Sequence, residues 1–235
     1  MTTLLIATRN THKVEEIRVI LGKDYHYLTL DDFPGAPEII EDAATFAGNA
    51  TKKAVELAQH LSRLSSAGKQ SPVTLPTYVL ADDSGLEVDA LGGAPGVHSA
   101  RFAALDSGQA GNSSSAENNA KLLRALKDVP QEVRTARFRC ALALTPVIPG
   151  QTAANASPVC LANELELQTE LFEGACEGRI GFKLRGEGGF GYDPLFFPAG
   201  YDQTFGELGE EVKNRLSHRA RALEKLRTHF AMPGR

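Results

Sequence analysis

"LADDSGLEVDA", residues 80–90, follows directly on the strand-forming "TYV" and sets two carboxylates side by side, Asp82 and Asp83, with Glu87 and Asp89 close behind. Adjacent carboxylates repel, so solvent, hydrogen bonds or a cation must offset the cost. "YVLADD" reads as a strand, and Ser84-Gly85 after it reads as a turn. The acidic tip then lies at the C-terminal end of a strand, where α/β proteins bind ligands. Successive strand side chains point to opposite faces, so one of the two aspartates enters a given cleft if the strand continues that far. Two readings are open for the tip. One is an Asx-type turn; the other is a Mg²⁺ site of one or two carboxylates, waters and phosphate oxygens, with Glu41 as the second carboxylate.

Working outward, "TLLIAT" (3–8) reads as a buried strand and "KVEEIRVILG" (13–22) as a helix with Val14, Ile17 and Leu21 on one face and Gly22 ending it. Between them, Asn10 or Thr11 caps the helix, so backbone N–H groups and the positive dipole end open onto "RNTH". With Arg9 and Lys13 this is either an anion site or a capped helix with surface charge. Residues 41–61 predict an acidic turn and a second helix, and 62–77 an exposed loop. Residues 92–102 read as a Gly/Pro turn, and 107–119 as a polar connector into the helix "AKLLRALKD". "ARFRCALALTPV" (136–147) reads as a strand entering a core, "IPGQTAANASP" as a hairpin tip, and 159–176 as β structure by alternation. In "GGFGYDPLFFPAG" (188–200) the glycines argue against a regular element; 217–230 predicts a helix with Leu223, Leu226 and Phe230 inward. Strands and helices alternate without a strict βαβ rhythm, which predicts an α/β protein with a mixed sheet.

A chain of 235 residues with 42% hydrophobic and 23% charged residues fits one sizeable globular domain. A net charge of -4 lacks the footprint of a nucleic-acid polymer binder. Cys140, Cys160 and Cys176 have neither zinc nor disulfide spacing, which suits a cytoplasmic protein. Neither a signal peptide nor an apolar run approaching a membrane span is present, so no membrane association is expected. His26, His60, His98 and His229 show no ligand spacing, and no G-x-S-x-G or Walker A motif occurs.

Two later stretches bear on chemistry. In "GGFGYDP" small residues around Phe190 and Tyr192 let backbone and an aromatic face approach a flat ligand, the bland alternative being a Gly-rich turn with core aromatics. "KNRLSHRA" sets Lys213, His218 and Arg219 near a helix start, where the dipole disfavours cations; a bound anion or simple solvation would each account for it.

Taken in order, "ATRNTHKVEEI", "ATFAGNATKKA", "LADDSGLEVDALGGAPGVHSARF" and "GGFGYDPLFFPAGYDQTFGELGEEVKNRLSHRARAL" resemble the Ham1/inosine triphosphatase family over nearly the whole chain. The resemblance implies Mg²⁺-dependent hydrolysis of dITP, ITP and XTP to the monophosphate and pyrophosphate. It also implies an elongated mixed sheet flanked by helices, two lobes with the site in the cleft between them, and a homodimer. Motif by motif, Thr8, Arg9, Asn10, Thr11, His12 and Lys13 match the triphosphate-binding loop, and Glu41 and Asp83 the metal carboxylates. Asp83 matches the general base and Ser84 touches substrate. Phe190, Gly191, Tyr192 and Asp193 match the nucleoside-binding stretch, and Lys213, His218 and Arg219 the remaining substrate contacts. The chain departs from the pattern where Arg9 replaces a common Gly and Gly48 a common Glu, and residues 62–77 and 146–158 resemble insertions. A pyrophosphatase for other altered nucleotides and a nucleotide-binding module with weakened catalysis are the alternatives.

Overall fold

The computed structural model describes residues 1–66, 75–108, 111–149 and 164–232. Six strands, β1 (Thr2–Ile6), β2 (Tyr25–Thr29), β3 (Tyr78–Val88), β4 (Thr135–Pro146), β5 (Glu170–Ile180) and β6 (Phe196–Pro198), form one sheet in the order β2-β1-β3-β4-β5-β6. It is mixed: β1 runs parallel to β2 and β3, while β5 and β6 are antiparallel. The helices are α1 (Thr11–Leu21), α2 (Phe46–Ser66), α3 (Ala104–Ser107), α4 (Ser115–Ala125), α5 (Glu164–Leu167), α6 (Phe205–Leu216) and α7 (His218–Ala231). The chain divides into two compact units, residues 1–83, 141–172 and 223–235 in the first and 84–140 and 173–222 in the second. The first division falls inside β3, between Asp83 and Ser84.

In the first unit, β1 is short and apolar enough to bury Leu4, Leu5 and Ile6 completely. The helix α1 begins where the Asn10 side chain accepts from the Lys13 amide at 3.3 Å and ends at Gly22, whose φ of 78° suits a residue without Cβ. It buries Ile17 and Leu21, four apart on one face. On α2 the buried set Ala50, Ala54, Leu57, Ala58 and Leu61 keeps the same spacing. Five successive buried residues, Val79 to Asp83, show that β3 is covered on both faces there.

The second unit is built on Leu86, Val88, Phe102, Leu122, Leu126, Phe138, Ile180, Leu195, Phe196 and Phe205. Phe138 and Phe196 pack with ring centroids 4.7 Å apart. Arg134 is 1% exposed in this interior, and its guanidinium donates to the carbonyls of Val129, Gly181 and Leu126. Burial without a carboxylate among those partners lowers its pKa.

Several local expectations are corrected. Ser84-Gly85 is not a turn: β3 runs through it to Val88. Residues 62–66 continue α2 instead of opening a loop, with Ser62 buried and donating to the Ala58 carbonyl at 2.8 Å; residues 67–74 lie outside the described residues. The helix expected at 120–128 begins at Ser115, because Ser114 and Glu117 form a reciprocal capping box. Glu164–Leu167 is helical instead of β, and Phe196–Pro198 pairs as β6 within a stretch expected to be irregular. Most of the expected hairpin tip, from residue 150 on, is outside the described residues, as is Cys160. Cys140 and Cys176 are buried.

Candidate active site

In the first unit the aspartate pair is divided as strand alternation requires. Asp82, 1% exposed, forms an ion pair with Lys13 of α1. Asp83, 6% exposed, accepts from Asn49 Nδ2 of α2 at 2.9 Å. Lys53, one turn further along α2, donates to the Asp82 carbonyl at 2.7 Å and lies 3.2 Å from Glu41 Oε1 and 4.0 Å from Asp83 Oδ1. One ammonium therefore faces both carboxylates expected to hold a metal. Burial pushes the Asp83 carboxyl above its ordinary value, and the neighbouring Glu41 adds to this; Lys53, Lys13 and the Asn49 hydrogen bond pull against them. A carboxyl so placed binds its proton more readily than an exposed one, which suits a group that must take a proton during reaction.

The loop before α1 is held by its own side chains, with Asn10 N–H donating to Thr8 Oγ1 at 3.2 Å. Thr8 is half-buried; Arg9, Asn10, Thr11 and His12 are exposed, and Lys13 reaches Asp82 of the acidic pair. At Gly48 a side chain would not fit unchanged: a Cβ there would stand 2.9 Å from Ala43 Cβ and 3.1 Å from Thr45 Oγ1. The segment just before α2 packs closely against this position.

In the second unit, Asp193 organises the glycine-rich stretch. Its Oδ2 accepts from the Phe190 amide and from Lys213 Nζ, each at 2.7 Å, and both partners of the ion pair are almost fully buried. Gly189, at φ 74°, passes so close that a Cβ would lie 2.2 Å from that carboxylate. The Phe190 ring has Lys213 Nζ 4.3 Å from its centroid and Arg219 at 5.9 Å, cations drawn to the negative face of the ring. Arg219, 1% exposed, donates to Ser84 Oγ at 3.0 Å. His218 stacks on Phe138 at 4.9 Å and 14°. Tyr192 follows the bland alternative: it packs into the interior and its hydroxyl donates to the Ser99 carbonyl at 2.8 Å. That burial raises its pKa. Lys213 does not lie at a helix start; it occupies the last turn of α6, where the dipole favours a cation, while His218 and Arg219 open α7.

The Ham1 family profile matches residues 4–229. The dITP/XTP pyrophosphatase of Desulforamulus reducens is 45% identical over 223 residues, covering 94% of this chain and 92% of the relative. The dITP/XTP pyrophosphatase of Geobacillus kaustophilus is 44% identical over 227 residues, covering 96% and 93%. The chain belongs to the Ham1 family. Among solved structures, a HAM1 protein from Coxiella burnetii superposes with a TM-score of 0.75 at 32% identity, covering 98% of each chain. The Ham1 protein of Staphylococcus aureus gives 0.72 at 30% identity, covering 97% of this chain and 98% of its own.

For this Ham1 chain the structure adds Asn49 and Lys53 to the residues named from sequence, and pairs Asp82 with Lys13. A signal for both lay in "GNATKKA": Asn49 and Lys53 are four apart on α2 and therefore share a face. Which acidic group that face meets is set by tertiary packing.

Proposed function

We propose that this Ham1 protein hydrolyses dITP, ITP and XTP to the nucleoside monophosphate and pyrophosphate, with Asp83 as the general base. The observation that carries the role of Asp83 is its environment: a buried carboxylate with a raised pKa, held in place by Asn49 and set beside Lys53. The relatives' stated activity and their near full-length match support the reaction class.

Divalent metal fits the donor set. Glu41 and Asp83 both face the Lys53 ammonium, so their oxygens already converge on positive charge. Among the described residues no group of three or more His, Cys, Asp or Glu is placed to hold a metal. Two carboxylates completed by water and substrate phosphate are what Mg²⁺ commonly takes, in contrast to an all-protein cage. When bound, Mg²⁺ offsets phosphate charge and polarises water. The chain's own part is then definite. Lys13 and Lys53 face the negative charge of the triphosphate, and Asp83 takes the proton of the water that attacks the α-phosphorus as pyrophosphate leaves. Thr8 to His12 line the phosphate end.

Base choice falls to the second unit. Phe190, Gly191 and Asp193 receive the nucleoside, held by Lys213; Ser84 contacts the substrate. His218 and Arg219 donate to the O6 acceptor of hypoxanthine or xanthine; adenine offers an amino group there and would leave those donors unsatisfied. No helix among the described residues is long and apolar enough to cross a membrane. By resemblance to its family the protein works as a cytoplasmic homodimer. Product analysis tests the reaction: with Mg²⁺, ³¹P NMR of a dITP digest is expected to show monophosphate and pyrophosphate, and diphosphate with orthophosphate would overturn the proposal.

A further inference from the structure

We propose that Asn119 is a positioning residue for the Phe190–Asp193 stretch and so contributes to nucleoside affinity without touching the nucleoside. The proposal rests on that stretch being the base-binding loop.

Asn119 lies on α4, 4% exposed, and its Nδ2 donates to the Gly191 carbonyl at 2.9 Å, a contact between residues 72 apart in sequence. Its Oδ1 is buried with no hydrogen-bond partner in the described structure. A buried amide with one end unsatisfied is costly. An apolar residue would fill this helix position at less cost, as Leu122 does one turn further along. What the amide adds is the bond to Gly191, whose φ of 62° is left-handed and turns the chain between Phe190 and Tyr192.

The loop is tied on its other sides as well. Asp193 holds the Phe190 amide, and Tyr192 is anchored to Ser99. Ser99 in turn accepts from the Leu86 amide at 2.9 Å. The neighbouring Asn118 accepts from the Ala103 amide at 2.8 Å and donates to the Ala100 carbonyl at 3.2 Å. Two consecutive asparagines on α4 therefore brace two different segments, and Asn119 is the one that holds the loop carrying Phe190.

The test uses Asn119→Asp, which keeps the size and removes the donor, with Asn119→Leu as a second variant if the first folds poorly. Steady-state kinetics on dITP are combined with hydrogen exchange over residues 188–196. Loss of one positioning hydrogen bond is expected to raise KM about fivefold. The kcat should stay within about twofold, since a positioning residue that acts mainly through substrate binding leaves the chemical step intact. Exchange in the loop should quicken. A merely structural role would lower the melting temperature with KM unchanged, and that result overturns the proposal. Phe190→Ala separates the two levels: if it raises KM while the Asn119 variants do not, the positioning role fails and the loop assignment survives. If Phe190→Ala also leaves KM unchanged, the loop assignment fails and the proposal with it.

Discussion

Replacing Asp83 by Asn removes a base while preserving nearly everything around it. The substitution is isosteric, and the Asn49 amide that donates to Asp83 at 2.9 Å can still donate to the new carbonyl oxygen. If Asp83 takes the proton from the attacking water, turnover on dITP should fall by about 10²- to 10⁴-fold, the usual worth of a general base. That corresponds to roughly 3–5 kcal/mol of barrier. Stability should move the other way. The folded pKa of Asp83 is raised, chiefly by burial, so protonation favours the fold. This group's contribution to stability is fully present below the unfolded carboxyl pKa of about 3.9. It is lost as pH rises through the raised folded value. The metal-free Asn variant should therefore melt at or above the parent at pH 8, and the difference should shrink towards pH 4. Pyrophosphate release under saturating dITP and melting curves in EDTA read the two effects. Turnover within tenfold of the parent, in a variant with an unchanged melting curve, would refute the role of Asp83.

Lys53→Gln removes a positive charge that holds the Asp83 pKa down, so the folded pKa should rise further and the variant's stability deficit should widen between pH 4 and pH 8 in EDTA. Its kcat/KM on dITP should fall about 10²-fold if the ammonium faces phosphate in the transition state; a value within twofold of the parent would remove it from the site. Arg134→Leu removes a buried guanidinium that donates to the Val129, Gly181 and Leu126 carbonyls, at a cost of roughly 3 kcal/mol or more. For a chain of this size the melting temperature should drop by about 6–12 °C; scanning calorimetry showing no shift would mean that water replaces the guanidinium.

The periodic segments were legible from sequence for simple reasons. β1 is an apolar run, α1 carries its own cap at Asn10 and stop at Gly22, and α7 shows Leu223 and Leu226 at helical spacing. The start of α4 was also written in the sequence, as Ser114 and Glu117 three apart. Continuation of β3 through Ser84-Gly85 was not: those residues favour a turn locally, and their place in a six-stranded sheet overrides the preference. β2, with Tyr25 and Tyr27 only partly buried and His26 exposed, has little apolar contrast to reveal it. In the site, Asp83 stood out by its charge crowding, whereas the roles of Lys53, Asn49 and Asn119 depend on contacts 29, 34 and 72 residues away. Spacing on a helix gives the face of such a residue, and long-range packing gives its partner.

The most direct measurement is kcat/KM for pyrophosphate release across dITP, XTP, dATP and dGTP with saturating Mg²⁺. Because a site that donates to O6 leaves its donors unsatisfied by adenine, dITP and XTP should exceed dATP by about 10²-fold or more. Comparable values for dITP and dATP would contradict the assignment of this Ham1 protein to altered purine nucleotides.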